Sequence, residues 1–364
     1  MVSLGTTDKR RVLEMEKEKL TRDLVHLTSL VLSVTKGEKS PGELIDEPFG
    51  QGPVGWAKVR HLGRHLADLL EMRGPPVFLV SMPRSGSSWI GEMLGSSPDA
   101  AYLREPITQS CIAKGVFGQG RTVTCYVDPA APPKIYERVA RDAFSGLPNF
   151  PPDIVPMPSQ WSLRERSKRR LIIKEVNPLC LQWVIDAFRP KILLLLRHPV
   201  AVARSRHRLG WGALGLEQKH AFPPKLFARY PEAKRILATA NDFWEKEGAR
   251  QGLITRYAID TLAGYKDGKT ISYEEFCRNP LESFEKLYDF CGLTMTADAR
   301  RRIEDHSESG DPSKPFSKHR DSRAMEFAWK KGIDPDTIRK VSDFYGEFGL
   351  EFYRASCPPS SCRC

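Results

Sequence analysis

Four short stretches of the chain carry residue types and spacings with chemical purpose. Met82-Pro-Arg-Ser-Gly-Ser-Ser-Trp-Ile90 leaves the apolar run Val77-Phe-Leu-Val-Ser81 and enters a helical pattern through Gly91-Glu-Met-Leu94. A Ser/Gly loop at a helix N-terminus turns backbone N–H groups, hydroxyls and the positive end of the helix dipole toward one point, which suits an anion. Arg84, Ser85, Gly86, Ser87, Ser88 and Trp89 are the candidate contacts, although a turn capped by Ser87 or Ser88 has the same composition. Arg197 closes the most apolar run, Lys191-Ile-Leu-Leu-Leu-Leu196, and Ser205 follows it by eight residues. From a strand end and two turns into a helix, both can reach one phosphate. Lys174, at the end of Leu171-Ile-Ile-Lys174, and Arg84 can neutralise charge on a departing oxygen, the alternative for Lys174 being a surface lysine with its stem laid along the protein. Glu105, after the short apolar run ending at Leu103, is a candidate proton acceptor; an arginine-paired structural carboxylate is its alternative. His198 is a second candidate base, with a hydrogen-bonding role in its turn as the competing reading, and His207 and His220 are weaker ones.

These side chains need a scaffold that gathers loop ends. Apolar runs rich in β formers at residues 77–81, 171–174, 191–196 and 270–273 read as strands covered on both faces. Helical spacing appears at residues 59–72, 179–188, 200–209 and 281–291. The alternation predicts an α/β, P-loop-like three-layer fold, a mainly parallel sheet flanked by helices, with ligands at the carboxyl ends of its strands. Residues 112–168, dense in proline, read as an insertion over the sheet. The Walker pattern of nucleoside triphosphatases is missing, since the loop has neither its spacing nor its lysine.

Pro83-Arg-Ser-Gly-Ser-Ser-Trp89 resembles the phosphosulfate-binding loop of sulfotransferases, which take 3′-phosphoadenosine 5′-phosphosulfate as donor. Arg197-His-Pro through Ser205 resembles the family's site for the donor's 3′-phosphate, with His198 in place of the usual acidic or amide residue. Ile271-Ser-Tyr-Glu-Glu-Phe-Cys-Arg-Asn-Pro-Leu281 resembles its Tyr-Glu-Asp, Asn-Pro segment, and Tyr102-Leu-Arg-Glu-Pro106 comes nearest the carbohydrate and tyrosyl-protein branches. The resemblance implies a sulfotransferase domain over residues 75–355, with Tyr273 among the donor contacts and Glu105 at the position of the base. It also implies a late loop, Lys314 to Arg323, in which Lys318 and Arg320 close over the donor; a solvated basic loop is the equal alternative. The implied reaction is direct, in-line sulfuryl transfer to a hydroxyl or amine of a small molecule or glycan, with no metal required. A P-loop-like kinase of a small metabolite and a non-catalytic nucleotide or polyanion binder are the competing readings.

Of 364 residues, 40% are hydrophobic, enough to build a sizeable core and to exclude disorder. The excess of 56 Lys and Arg over 45 Asp and Glu is compatible with an anionic ligand. The basic stretch Arg164 to Arg170 can attract an acidic acceptor or nucleic acid, but an exposed turn is commoner and no aromatic ladder accompanies it, so no nucleic-acid partner is expected. Residues 1–74 read as a helical N-terminal extension and 356–364 as a cysteine-bearing tail. No membrane span or secretory signal is read, and a cytoplasmic enzyme with reduced, packing cysteines is expected. Trp211 to Phe222 and the proline-rich insertion are the expected acceptor wall, and oligomeric state is not written in the sequence.

Overall fold

The computed structural model describes residues 53–58, 60–116, 124–212, 222–308, 325–350 and 353, with isolated positions between 14 and 38. Its centre is a five-stranded, all-parallel sheet in the order β2-β3-β1-β4-β5, formed by β1 (Val77–Ser81), β2 (Ala100–Arg104), β3 (Arg170–Glu175), β4 (Lys191–Leu196) and β5 (Gly268–Ser272). β1 and β4 carry unbroken apolar runs because both sheet faces are covered. Phe78, Val80, Leu103, Ile173 and Leu194 share one apolar layer; Val77, Leu79, Tyr102, Ile172 and Leu193 belong to the other.

The described helices are α1 (Arg60–Leu69), α2 (Ser87–Gly95), α3 (Pro106–Ala113), α4 (Lys134–Phe144), α5 (Leu181–Phe188), α6 (Pro199–Arg208), α7 (Pro224–Arg229), α8 (Pro231–Thr239), α9 (Phe243–Leu262), α10 (Tyr273–Arg278), α11 (Pro280–Cys291), α12 (Ala297–Glu308) and α13 (Pro335–Gly346). Prolines stand at the first turns of α3, α6, α11 and α13, where a missing N–H costs nothing. The strand and helix expectations at β1, β3, β4, β5, α1, α5, α6 and α11 hold to within a few residues. β2 and α9 carry no expectation from periodicity. β2 is a short edge strand that opens on two alanines, and it exists because Ala100–Arg104 pairs with Arg170–Lys174 of β3. α9 turns Glu247, Arg250, Gln251 and Thr255 inward, so its buried face does not read as apolar.

The proline-rich insertion is part of the core rather than a cover over it. Tyr136, Val139, Ala143 and Phe144 of α4 are buried, and the Phe144 ring stacks on Phe188 at 4.0 Å. Within the basic stretch Arg164 and Lys168 stay exposed, but one arginine turns inward. Arg166 is buried and donates to the carbonyls of Leu70, Gly146, Ala67 and Ser145, so it fastens α1 to the segment after α4 and is not a surface charge for a partner. Cys111, Cys125, Cys180, Cys277 and Cys291 are buried and form no disulfide, as expected of packing cysteines. Among the described residues, no helix is long and apolar enough to cross a membrane.

Candidate functional site

Three chain segments meet at the carboxyl edge of the sheet. The loop after β1 turns through Arg84 (φ 75°) and Gly86 (φ 93°), both left-handed, and Gly86 caps α2. The Tyr273 ring lies so close that a Cβ at Gly86 would collide with it, so glycine is required there for both torsion and space. Ser85 is buried, and the Ser81 hydroxyl lies 2.8 Å from Ser87 Oγ, tying the strand end to the first turn of α2. Ser88 is half-buried in that turn. Trp89 packs its edge against Tyr273 and Phe284, which makes it a wall holding the loop against α10 and α11.

The turn after β4 interlocks with this loop. Arg197 donates from Nη1 to the Arg84 carbonyl at 3.0 Å, and its guanidinium lies 4.3 Å from the Tyr273 ring centre. The Arg84 Nε donates to Ser205 Oγ at 2.9 Å. Arg84, Arg197, Ser205 and Tyr273 are therefore one connected cluster from the ends of β1, β4 and β5. Arg84 reaches the position expected for a 3′-phosphate as well as the loop to which it belongs. Two guanidinium groups, a hydroxyl and a helix N-terminus in one place fit the phosphates of an adenosine phosphosulfate donor. Lys318, Arg320, most of the expected wall from Trp211 to Phe222, and the tail cysteines lie outside the described residues.

His198 is structural. Its Nδ1 accepts the Val200 N–H, its ring stacks on Trp329 at 4.1 Å, and burial pushes its imidazole down to about 3, with Lys330 and Arg197 adding to the shift. With its imidazole pushed down and its Nδ1 already accepting the Val200 N–H among aromatic rings, it is a poor proton acceptor. Glu274, a residue the sequence reading did not single out, accepts from the His198 N–H (2.9 Å), the Ser272 hydroxyl (3.0 Å) and the Tyr353 hydroxyl (2.6 Å). The Tyr-Glu of the β5 segment was the available signal: the tyrosine supports Arg197 from below and the glutamate fixes the turn that follows it.

On the other side of β1 the register sets Arg104 of β2 beside Lys174 of β3. Glu105 comes next, its N–H bonded to the Lys174 carbonyl at 2.6 Å and its backbone left-handed at φ 54°. Its carboxylate pairs with the Lys174 ammonium and accepts from Gln109 at 2.9 Å. Burial pushes the Glu105 carboxyl up, but Lys174 and the two hydrogen bonds outweigh it and hold the group below its usual range. Lys174 is buried, not a surface lysine. The neighbouring Glu175 faces the opposite layer, accepts from the N–H groups of Ile107 (2.7 Å) and Thr108 (3.2 Å) and from the Thr108 hydroxyl (2.5 Å), and burial pushes its carboxyl up to about 7. It anchors the start of α3 and with it the turn that carries Glu105. Its position beside Lys174 in the sequence gave no hint of this, because only the packing of α3 shows where it points.

A donor cradle on the loops after β1 and β4, on a parallel α/β sheet, defines a nucleotide-dependent group transferase. The sulfotransferase domain profile matches residues 74–348, and the chain belongs to that family. It is a sulfotransferase that moves a sulfuryl group from 3′-phosphoadenosine 5′-phosphosulfate to a hydroxyl. The chain is similar to human carbohydrate sulfotransferase 5, with 24% identity over 310 residues, 73% of this chain and 74% of that one. The mouse protein of the same name is 23% identical over 315 residues, covering 74% and 78%. Among solved structures, mouse sulfotransferase SULT7A1 complexed with PAP aligns over 78% of this chain and 88% of its own, at 16% identity and a TM-score of 0.40. The kinase and non-catalytic readings fall with this membership.

Proposed function

We propose that the acceptor is a sugar hydroxyl of a glycan and that Glu105 takes its proton. The observation that carries the reading is the pair of half-buried Glu105 and buried Lys174 at the carboxyl ends of β2 and β3, on the sheet edge that holds the donor loop. Lys174 keeps Glu105 ionised and so ready to accept a proton; the acceptor oxygen then attacks sulfur as the bond from sulfur to the 5′-phosphate oxygen breaks. Arg84 and Lys174 offset the charge that develops on the leaving phosphate, and Arg197 with Ser205 holds the 3′-phosphate. Support for a glycan comes from the relatives, which are carbohydrate sulfotransferases. The five described cysteines, buried and without a disulfide, support a cytoplasmic setting for the activity, to be checked by subcellular fractionation.

The test is transfer of radiolabelled sulfate from the donor to a panel of oligosaccharides, phenols, steroids, tyrosine peptides and amines. Labelled oligosaccharide is the expected product. Label confined to phenols, steroids, peptides or amines overturns the glycan assignment and leaves the sulfotransferase chemistry standing.

A further inference from the structure

A second charged cluster, unused by the chemistry above, sits in the protein interior between α6 and α9. Arg206, Glu247 and Arg250 are all buried, Arg250 completely. The ion pair from Arg206 Nε to Glu247 Oε2 measures 2.9 Å, and Arg250 Nη1 stands 3.7 Å from the same oxygen. Neither contact is a hydrogen bond, and Nε, Nη1 and Nη2 of Arg250 have no hydrogen-bond partner. One carboxylate between two guanidinium groups leaves an excess positive charge. A guanidinium buried without hydrogen bonds is costly in a fold that must stay closed, and it becomes favourable when an oxyanion arrives to pair with it.

The cluster lies at the working edge of the sheet. α9 leads into the parallel strand β5, so its first turns stand above the carboxyl ends of the strands. Gln251, next to Arg250, donates to the carbonyl of Pro199, the first residue of α6 after β4. One cavity is lined by Met82, Ser85, Arg197, Gln251, Ile254 and Thr255, which joins this part of α9 to the donor loop. Arg206 directly follows Ser205, the hydroxyl that Arg84 holds. Cys125, anchored by its N–H to Asn177 beyond the end of β3, lies within electrostatic reach of Arg250.

We propose that Arg250, with Arg206 beside it, receives an anionic group of the acceptor, a carboxylate or a sulfate ester borne by the sugar. The planar fork of arginine matches either group with two parallel hydrogen bonds. The inference rests on the glycan reading above and narrows it to acidic glycans. Glu247 then tunes the site: it holds the two arginines together and sets the net charge that the acceptor meets.

The test uses the full chain saturated with 3′-phosphoadenosine 5′-phosphate, titrated with glucose, glucuronate and glucose 6-sulfate by ligand-observed NMR. At least one anionic sugar is expected to bind at least about tenfold more tightly than glucose, and which of the two does so identifies the group. Arg250→Met, with similar volume and no charge, erases that preference, while Glu247→Gln, which removes the competing carboxylate, enlarges it. Nucleotide affinity, measured in the same samples, stays unchanged in both variants. A wild-type chain that binds the nucleotide but shows no preference overturns the proposal. So does a preference that survives Arg250→Met, which would put the anion at the transfer site itself. If Arg250→Met does not fold, a preference unaltered by Glu247→Gln overturns it as well. Failure of the wild-type chain to bind the nucleotide would instead strike the donor assignment.

Discussion

The two ends of the site solve opposite electrostatic problems. In the donor cradle, Arg84 and Arg197 stand together with a hydroxyl, a tyrosine face and a helix N-terminus. In the base corner the carboxylates have partners: Glu105 with Lys174 and Gln109, Glu175 with Thr108 and the start of α3. The cradle is charged in order to attract an anion, whereas the corner is neutralised in order to fix one carboxylate in its ionised form. The lesson is that pre-organisation takes different shapes for binding and for proton transfer.

Breaking the corner at its reactive atom has the largest effect. Glu105→Gln keeps the shape and removes the proton acceptor, so turnover falls by about 10²–10⁴-fold while nucleotide affinity holds. A parallel loss of nucleotide binding in that variant would merge the two ends into one functional unit. On the cradle side, Arg197→Ala removes a charged hydrogen bond worth about 1.5–3 kcal/mol, so calorimetry should show at least tenfold weaker binding of 3′-phosphoadenosine 5′-phosphate.

The corner also predicts a pH signature. Because the folded Glu175 carboxyl is raised from 4.5 to about 7, its contribution to stability is full below about pH 4.5 and lost as pH rises through about 7. Glu105, shifted the other way, contributes stability above its unfolded value that is lost as pH falls. Thermal midpoints of Glu175→Gln across this range should therefore decline less with pH than those of the wild type; an identical slope would show that Glu175 is ionised in the fold. Smallest is the effect of His198→Asn. Asparagine can accept the Val200 N–H, so turnover should stay within a few-fold and its pH profile between about 5 and 8 should not move. A lost limb in that profile would restore His198 as a base.

Legibility in the sequence follows the same division. The cradle could be read because its anion loop is contiguous, and because Arg197 and Ser205 need only one strand end and one helix to be placed. The corner was half legible. Glu105 and Lys174 were recognised singly, but their pairing depends on β2–β3 register between segments separated by the long insertion. Glu175 and Arg250 were invisible, since a charged residue in a strand or helix reads as solvent-facing until the packing of α3 or α9 turns it inward. Arg166 misled for the same reason: carbonyls that become neighbours only in the fold absorb its charge.

The fit of Tyr273 against Gly86 carries a message about the order of assembly. The donor loop belongs to the first strand of the sheet to be synthesised, yet the ring that shapes it arrives with the last. Until β5 docks at the far edge, the loop lacks the surface against which Gly86 turns and Arg197 rests. Nucleotide capture thus becomes a late event on the way out of the ribosome, and a nascent chain released before Tyr273 would have its anion loop and most of its core strands but no formed cradle.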